Sequence, residues 1–96
     1  MAVVAASAAD DAARRIEALA AEMRARDFLA DTIRTAGRLC VHVANRWAAE
    51  LSDTIYAAPA EDGSWWFWWS WGDRIALVGD VEAAAFKIAY VLTPTS

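Results

Sequence analysis

The stretch SWWFWWSWGD, residues 64 to 73, places five tryptophans and a phenylalanine in the seven positions from Trp65 to Trp71. Rings of this size each have ~150–250 Å² to bury. A chain of 96 residues makes one domain, which buries roughly 60–65% of the surface its unfolded form exposes. Where this segment goes therefore limits everything else the chain can do. Turn residues flank it, AEDG before and Gly72-Asp73 after, so it reads as a strand followed by the antiparallel return RIALV.

A strand sends alternate side chains to opposite faces. Trp65, Phe67, Trp69 and Trp71 then point one way, and Trp66, Trp68 and Ser70 the other. With Gly72-Asp73 as a two-residue hairpin loop, Trp71 pairs with Arg74, Trp69 with Ala76 and Trp68 with Leu77. One face carries Trp66, Trp68, Ile75 and Leu77. The opposite face carries Trp65, Phe67, Trp69, Trp71 and Arg74. The aliphatic neighbours of the first face suit a core, and Arg74 wants water on the second. We therefore expect helices over Trp66 and Trp68, with the odd-numbered aromatics left open.

Ser7 to Arg26 is the clearest helix. Ser7 is placed to cap it, Asp10 and Asp11 sit near its positive end, and Arg24 and Arg26 near its negative end. Ala12, Ile16, Leu19 and Met23 form its buried stripe. Residues 1–6 are expected to lie outside the fold, and MAVVAASAA lacks the basic leader of a secretion signal. Beyond Phe28 the helical stripe stops. Ala36-Gly37 marks a turn, and LCVHVAN alternates, with Leu39, Val41 and Val43 on one face and Cys40, His42 and Ala44 on the other. A hairpin follows, although a helix continued to residue 35 is an open alternative. RWAAELS reads as a loop or short helical turn, and DTIYAAP as a brief strand. Asp80 caps a last helix whose stripe is Val81, Ala84, Ala85, Ile88 and Leu92. The fold class is α+β, a two-layer sandwich of N-terminal helix, four- or five-stranded antiparallel sheet and C-terminal helix.

The runs LCVHVAN, LSDTIYAAP, DGSWWFWWSWGDRI and VEAAAFKIAYVL, across roughly residues 38 to 92, resemble small actinobacterial proteins with a tryptophan-rich strand, some encoded beside helix-turn-helix regulators. There a histidine-bearing strand precedes a loop and a W-F-x-W-S-W strand, matched here by Trp66 to Trp71. The resemblance implies the fold and no activity. Those proteins carry Asn-Pro after the second strand, whereas this chain has Asn45-Arg46, so the loop there is expected to differ.

Nine basic residues stand against thirteen acidic ones, a net charge of −4, and the arginines are scattered. Nucleic acid is therefore disfavoured. One cysteine and one histidine give too few ligands for a transition-metal site, so no metal and no cofactor are expected. Cys40 and His42 share a strand face, but a thiol–imidazole pair normally meets across elements with a third orienting group. Asp10-Asp11 and Glu61-Asp62 read as solvated charge. No run approaches a membrane span, and a lone cysteine suits a reducing cytoplasm. What remains is an aromatic sheet face beside an arginine, the composition of interface hot spots. The expected function is a non-enzymatic protein–protein interaction module that binds itself or another protein. Its surface would comprise Trp65, Phe67, Trp69, Trp71, Arg74 and His42. Two alternatives are a pocket on that face for a planar apolar ligand, with or without enzymatic chemistry, and coverage of the stripe by loops or the first hairpin.

Overall fold

A computed structural model describes residues 3–94, with side chains described for residues 10–94. Helix α1 (Val3–Ala25) leads into strands β1 (Phe28–Thr35), β2 (Arg38–Asn45), β3 (Ala48–Pro59), β4 (Trp65–Trp68) and β5 (Arg74–Leu77), and helix α2 (Val81–Val91) closes the chain. The five strands form one antiparallel sheet in the order β1-β2-β3-β4-β5. The expected α+β class and element order hold. α1 begins four residues before Ser7, so Ser7 lies inside it and not at its cap. Of the terminus expected to lie outside the fold, residues 3–6 belong to this helix, and residues 1 and 2 lie outside the described ones.

α1 ends where Asp27 takes a left-handed φ of 71°, the role a glycine usually fills just past a helix C-terminus. The reversal frees Phe28 to start β1, which settles the open alternative in favour of a strand. Ala36 (φ 53°) and Gly37 (φ 77°) then make the two-residue turn of a hairpin, pairing Thr35 with Arg38; positive φ at both positions matches the twist of the flanking strands.

Two expectations about strands change. The RWAAELS segment is no helix: Ala48–Ser52 is the first part of β3, a strand of 12 residues. Asn45 makes this possible. Its side-chain oxygen accepts hydrogen bonds from the N–H groups of Trp47 (2.8 Å) and Ala48 (3.0 Å), which holds a tight turn at Arg46-Trp47. The length of β3 lets its first half pair with β2 and its second half with β4.

The link between β4 and β5 also differs. It runs from Trp69 to Asp73, closed by Trp69 N–H to the Asp73 carbonyl (2.9 Å) and Gly72 N–H to the Trp69 carbonyl (3.0 Å). Gly72 turns there at φ 96°. Ser70 donates its N–H (2.8 Å) and hydroxyl (2.5 Å) to the Asp53 carboxylate, tying the loop back onto β3. The register becomes Trp66 with Leu77, Phe67 with Ala76 and Trp68 with Arg74, with a bulge at Ile75. An extra residue in one strand breaks strict alternation. Ile75 and Leu77 therefore part company: Ile75 is buried and Leu77 is 46% exposed.

Both helices lie on one side of the sheet. Ile16, Leu19, Ala20 and Met23 of α1 and Ala84, Ala85 and Ile88 of α2 are fully buried, as their spacing requires. Against them the sheet sets Val41, Val43, Ile55, Phe67, Trp69 and Ile75. Asp80 caps α2 by accepting the Ala83 N–H (3.1 Å). Asn45 anchors its far end by donating to the Leu92 carbonyl (2.9 Å).

The face expectation is overturned. Phe67 is fully buried and Trp69 is 4% exposed, so the helices cover Phe67 and Trp69 and leave Trp66 and Trp68 on the uncovered side. The inward positions of the helices mix small side chains, Ala20, Ala84 and Ala85, with the larger Ile16, Leu19, Met23 and Ile88, and Phe67 and Trp69 complete the same cluster. Phe67, with no polar atom, enters this layer without needing a hydrogen-bond partner. The indole N–H groups of Trp66 and Trp68 find theirs on the other side.

Candidate functional site

The uncovered face is built by alternation. β1 contributes Leu29, Asp31, Ile33 and Thr35; β2 contributes Arg38, Cys40, His42 and Ala44; β3 contributes Thr54, Tyr56 and Ala58; β4 contributes Trp66 and Trp68; β5 contributes Arg74 and Leu77. Register sets the rows across it. Asp31, His42 and Thr54 form a row across β1 to β3, while Ala58, Trp66 and Leu77 form one row across β3 to β5 and Tyr56, Trp68 and Arg74 the next.

Rings and cations alternate along β3 to β5. The Arg38 guanidinium lies 5.9 Å from the Tyr56 ring centroid. Tyr56 stacks on Trp68 at 6.3 Å and 10° between planes. Arg74 sits over Trp68 at 5.6 Å and over Trp66 at 4.9 Å. Each such cation–ring contact stabilises by about 0.5–1 kcal/mol at an exposed site. More telling is how the rings are held. Trp68 Nε1 donates to the Ala58 carbonyl (2.9 Å), and Trp66 Nε1 donates to Ser64 Oγ (3.0 Å). Ser64 in turn donates its hydroxyl and N–H to Asp62. Those two bonds from Ser64, the hydroxyl's first, hold the Asp62 carboxyl below its ordinary pKa. With their N–H groups committed internally, the tryptophans offer ring surface in fixed positions.

Beside this ridge the face is low. Cys40, Ala44 and Ala58 are small, and a shallow cavity of about 460 Å³ opens there, lined by Thr35, Arg38, Cys40, Thr54, Tyr56 and Ser70. Cys40 is buried at its floor. Desolvation pushes its thiol pKa up, with the Arg38 charge opposing that only in part. A thiol so placed is a poor nucleophile. We expect the folded protein to react with iodoacetamide at pH 8 at least about tenfold more slowly than the urea-unfolded chain; equal rates would show an open thiol. His42 is exposed, and its Nδ1 lies 3.0 Å from Thr54 Oγ1. Among the described residues, no group of three or more His, Cys, Asp or Glu side chains is placed to hold a metal.

The six residues singled out in the sequence separate. His42 and Arg74 are exposed on the open face. Phe67 and Trp69 are core, and Trp65 is half-buried against it. Trp71 is 58% exposed, stacked on Trp69 at 4.7 Å, with its Nε1 donating to Asp73 (2.9 Å). Arg74 lies over the rings of Trp66 and Trp68, the pair expected on the opposite face from it. The residues that sequence reasoning missed are Trp66, Trp68, Tyr56 and Arg38. The alternation of LCVHVAN and DTIYAAP held the signal for the last two, since it puts them in phase with His42.

A second exposed apolar group was not foreseen. Phe86 (66%) and Tyr90 (69%) project from the outer side of α2, and Trp47 (81%) stands at the β2–β3 turn, with Arg46 5.8 Å from its ring. Comparison with family models, curated proteins and solved structures finds no match for this chain.

Proposed function

We propose that this domain is a non-catalytic interaction module that binds a protein surface, its own or a partner's, through the uncovered sheet face. The observation that carries this reading is the ladder Arg38–Tyr56–Trp68–Arg74–Trp66 on a face that no helix covers. Its indole N–H groups are satisfied within the chain. Tryptophan, tyrosine and arginine dominate interface hot spots, and fixed rings lose little freedom on binding. The cavity beside the ridge is shallow and open, with Tyr56 as its single ring, so it would enclose little of a planar ligand. The free Cys40 favours a reducing compartment, the cytoplasm. No described helix is long and apolar enough to cross a membrane. Kinship with the actinobacterial tryptophan-strand proteins rests on the Trp66 to Trp71 motif and belongs to the same proposal.

The test is Trp68→Ser. Its ring is half-buried on the open side, so the domain should stay folded while association weakens by about thirtyfold or more, the ~2 kcal/mol of a hot-spot residue. Solution mass across a dilution series, with affinity isolation from cell extract, reads the effect. If neither self-association nor any retained partner distinguishes the variant from the parent, the reading fails.

A further inference from the structure

Resting on that reading, we infer that the partner brings an acidic segment to the open face: two carboxylates four residues apart in an extended chain, received by Arg38 and Arg74, with an apolar side chain between them on Tyr56 and Trp68.

Most cations of this chain are occupied within it. Arg14 and Arg15 pair with Asp11, Arg26 with Glu22 and Arg46 with Asp27. Arg24 and Lys87 donate to main-chain carbonyls. Among the described residues, Arg34, Arg38 and Arg74 are the ones whose side chains make neither kind of bond. Two of those three stand on the open face, each against rings.

Carboxylates are not scarce, since thirteen acidic residues oppose nine basic ones. They are placed elsewhere. Asp31 shares the face but lies four residues along β1 from Thr35, the partner of Arg38, about 13 Å away. Glu50 lies six residues along β3 from Tyr56, about 20 Å. Asp62 is close enough to Arg74 to feel its charge, yet its carboxylate accepts both bonds from Ser64. In an acidic protein the ladder is thus an island of positive charge, the complement of an acidic surface.

A ring holds a guanidinium through its quadrupole. The planar N–H fork stays available, and it matches the two oxygens of a carboxylate. Tyr56 positions Arg38, and Trp66 and Trp68 position Arg74, before any partner arrives. Less freedom is then lost on binding.

Spacing sets the pattern of the ligand. From Arg38 on β2 to Arg74 on β5 there are three strand intervals, roughly 14 Å at about 4.8 Å each. An extended chain covers about 13 Å in four residues, and its residues i, i+2 and i+4 point the same way. A segment crossing the strands therefore offers acidic side chains at i and i+4 to the two arginines. Its residue at i+2 meets the Tyr56–Trp68 stack, beside the cavity floored by Cys40. A helix needs about nine or ten residues for the same reach.

Three synthetic peptides test this on the full chain: acetyl-GSETLTESG-amide, its glutamine analogue GSQTLTQSG and its lysine analogue GSKTLTKSG. Affinities are read from the indole N–H signals of Trp66 and Trp68 in isotope-labelled protein, at about 10 mM and about 300 mM salt, because exposed pairs are screened. The glutamate peptide is expected to bind at low salt with a Kd of about 0.1–1 mM, as two charge-assisted contacts and one apolar side chain allow. The glutamine analogue should bind at least about tenfold more weakly, and higher salt should weaken the glutamate peptide by a similar factor. Arg38→Glu combined with Arg74→Glu should reverse the preference, so that the lysine peptide binds best. Loss of folding cannot produce that gain. Arg14→Glu, exposed on α1, should leave the order of the three peptides unchanged.

Equal binding of the glutamate and glutamine peptides overturns the inference. So does a glutamate peptide that binds the doubly reversed protein as well as the parent, or that fails to bind the parent up to about 5 mM. Trp68→Ser then judges the reading beneath it. A partner retained from cell extract by the parent and lost by that variant leaves the interaction module standing with a different ligand chemistry, and no such difference removes both.

Discussion

Phe67→Ala is expected to destabilise this domain by ~3–5 kcal/mol, the range for emptying a buried aromatic site. Phe67 is fully enclosed, opposite Ala57 and Ala76 across the sheet. Ala57 and Ala76 have no long side chains to swing into the void. A domain of this size has ~5–15 kcal/mol in total, so the variant should unfold at far lower urea, with a midpoint shift at an unchanged slope. Trp69→Ser belongs with it, because Trp69 is 4% exposed. Trp68→Ser does not. Measured at a concentration where the chain is monomeric, it should cost about 1–2 kcal/mol, for a half-buried ring, one indole hydrogen bond and a cation contact. Dilution matters, since dissociating a complex lowers apparent stability by mass action. If Trp68→Ser unfolds the monomer as severely as Phe67→Ala, Trp68 belongs to the core and the open face is not open.

The second large effect is expected at Asn45. Among the described residues it is the one buried polar side chain, and three hydrogen bonds converge on it. It donates to the Leu92 carbonyl at the end of α2 and accepts from the N–H groups of Trp47 and Ala48. Asn45→Ala removes all three and leaves their partners without a substitute in the chain. Each abandoned buried group costs about 1–3 kcal/mol, less where water can enter. The turn at Trp47 is open to water and the Leu92 end is buried, so a total of ~2–4 kcal/mol follows from the same range. Hydrogen exchange should locate the damage, with protection falling at the C-terminal turn of α2 and at the start of β3. Unchanged exchange there, with stability within about 0.5 kcal/mol of the parent, the usual span of inert surface changes, would show that the helix end is held by packing alone. In this turn Arg46 pairs with Asp27 at 2.9 Å.

Much of the architecture follows from local pattern. The helical stripes of Ile16, Leu19 and Met23 and of Ala84, Ala85 and Ile88 identify the buried sides of both helices, because a 3.6-residue period leaves one choice of face. Ala36-Gly37 marks the first hairpin because two adjacent positive φ angles need residues that tolerate them. Period two in LCVHVAN correctly separates Val41 and Val43 from Cys40 and His42. The long β3 was less legible: AAELS carries no alternation of its own, and it becomes strand because Asn45 holds the turn that aligns it with β2.

The tryptophan segment marks the boundary between what sequence determines and what tertiary structure decides. Alternation alone divides Trp66 and Trp68 from Trp65, Phe67 and Trp69, and that division is correct. It contains nothing about which set faces inward, since both are aromatic and both can fill a core. The choice rests on groups outside the alternation: Phe67 and Trp69 join the inward side chains of α1 and α2 in one core cluster, while Ala58 and Ser64 receive the indole N–H groups of Trp68 and Trp66 on the other side. Ser70 bound to Asp53 lengthens the loop, and the bulge at Ile75 then splits Ile75 from Leu77 and turns Arg74 toward Trp66 and Trp68. A two-residue period cannot register a one-residue insertion in the partner strand, because each strand still alternates by itself. Only the pairing between strands shows it.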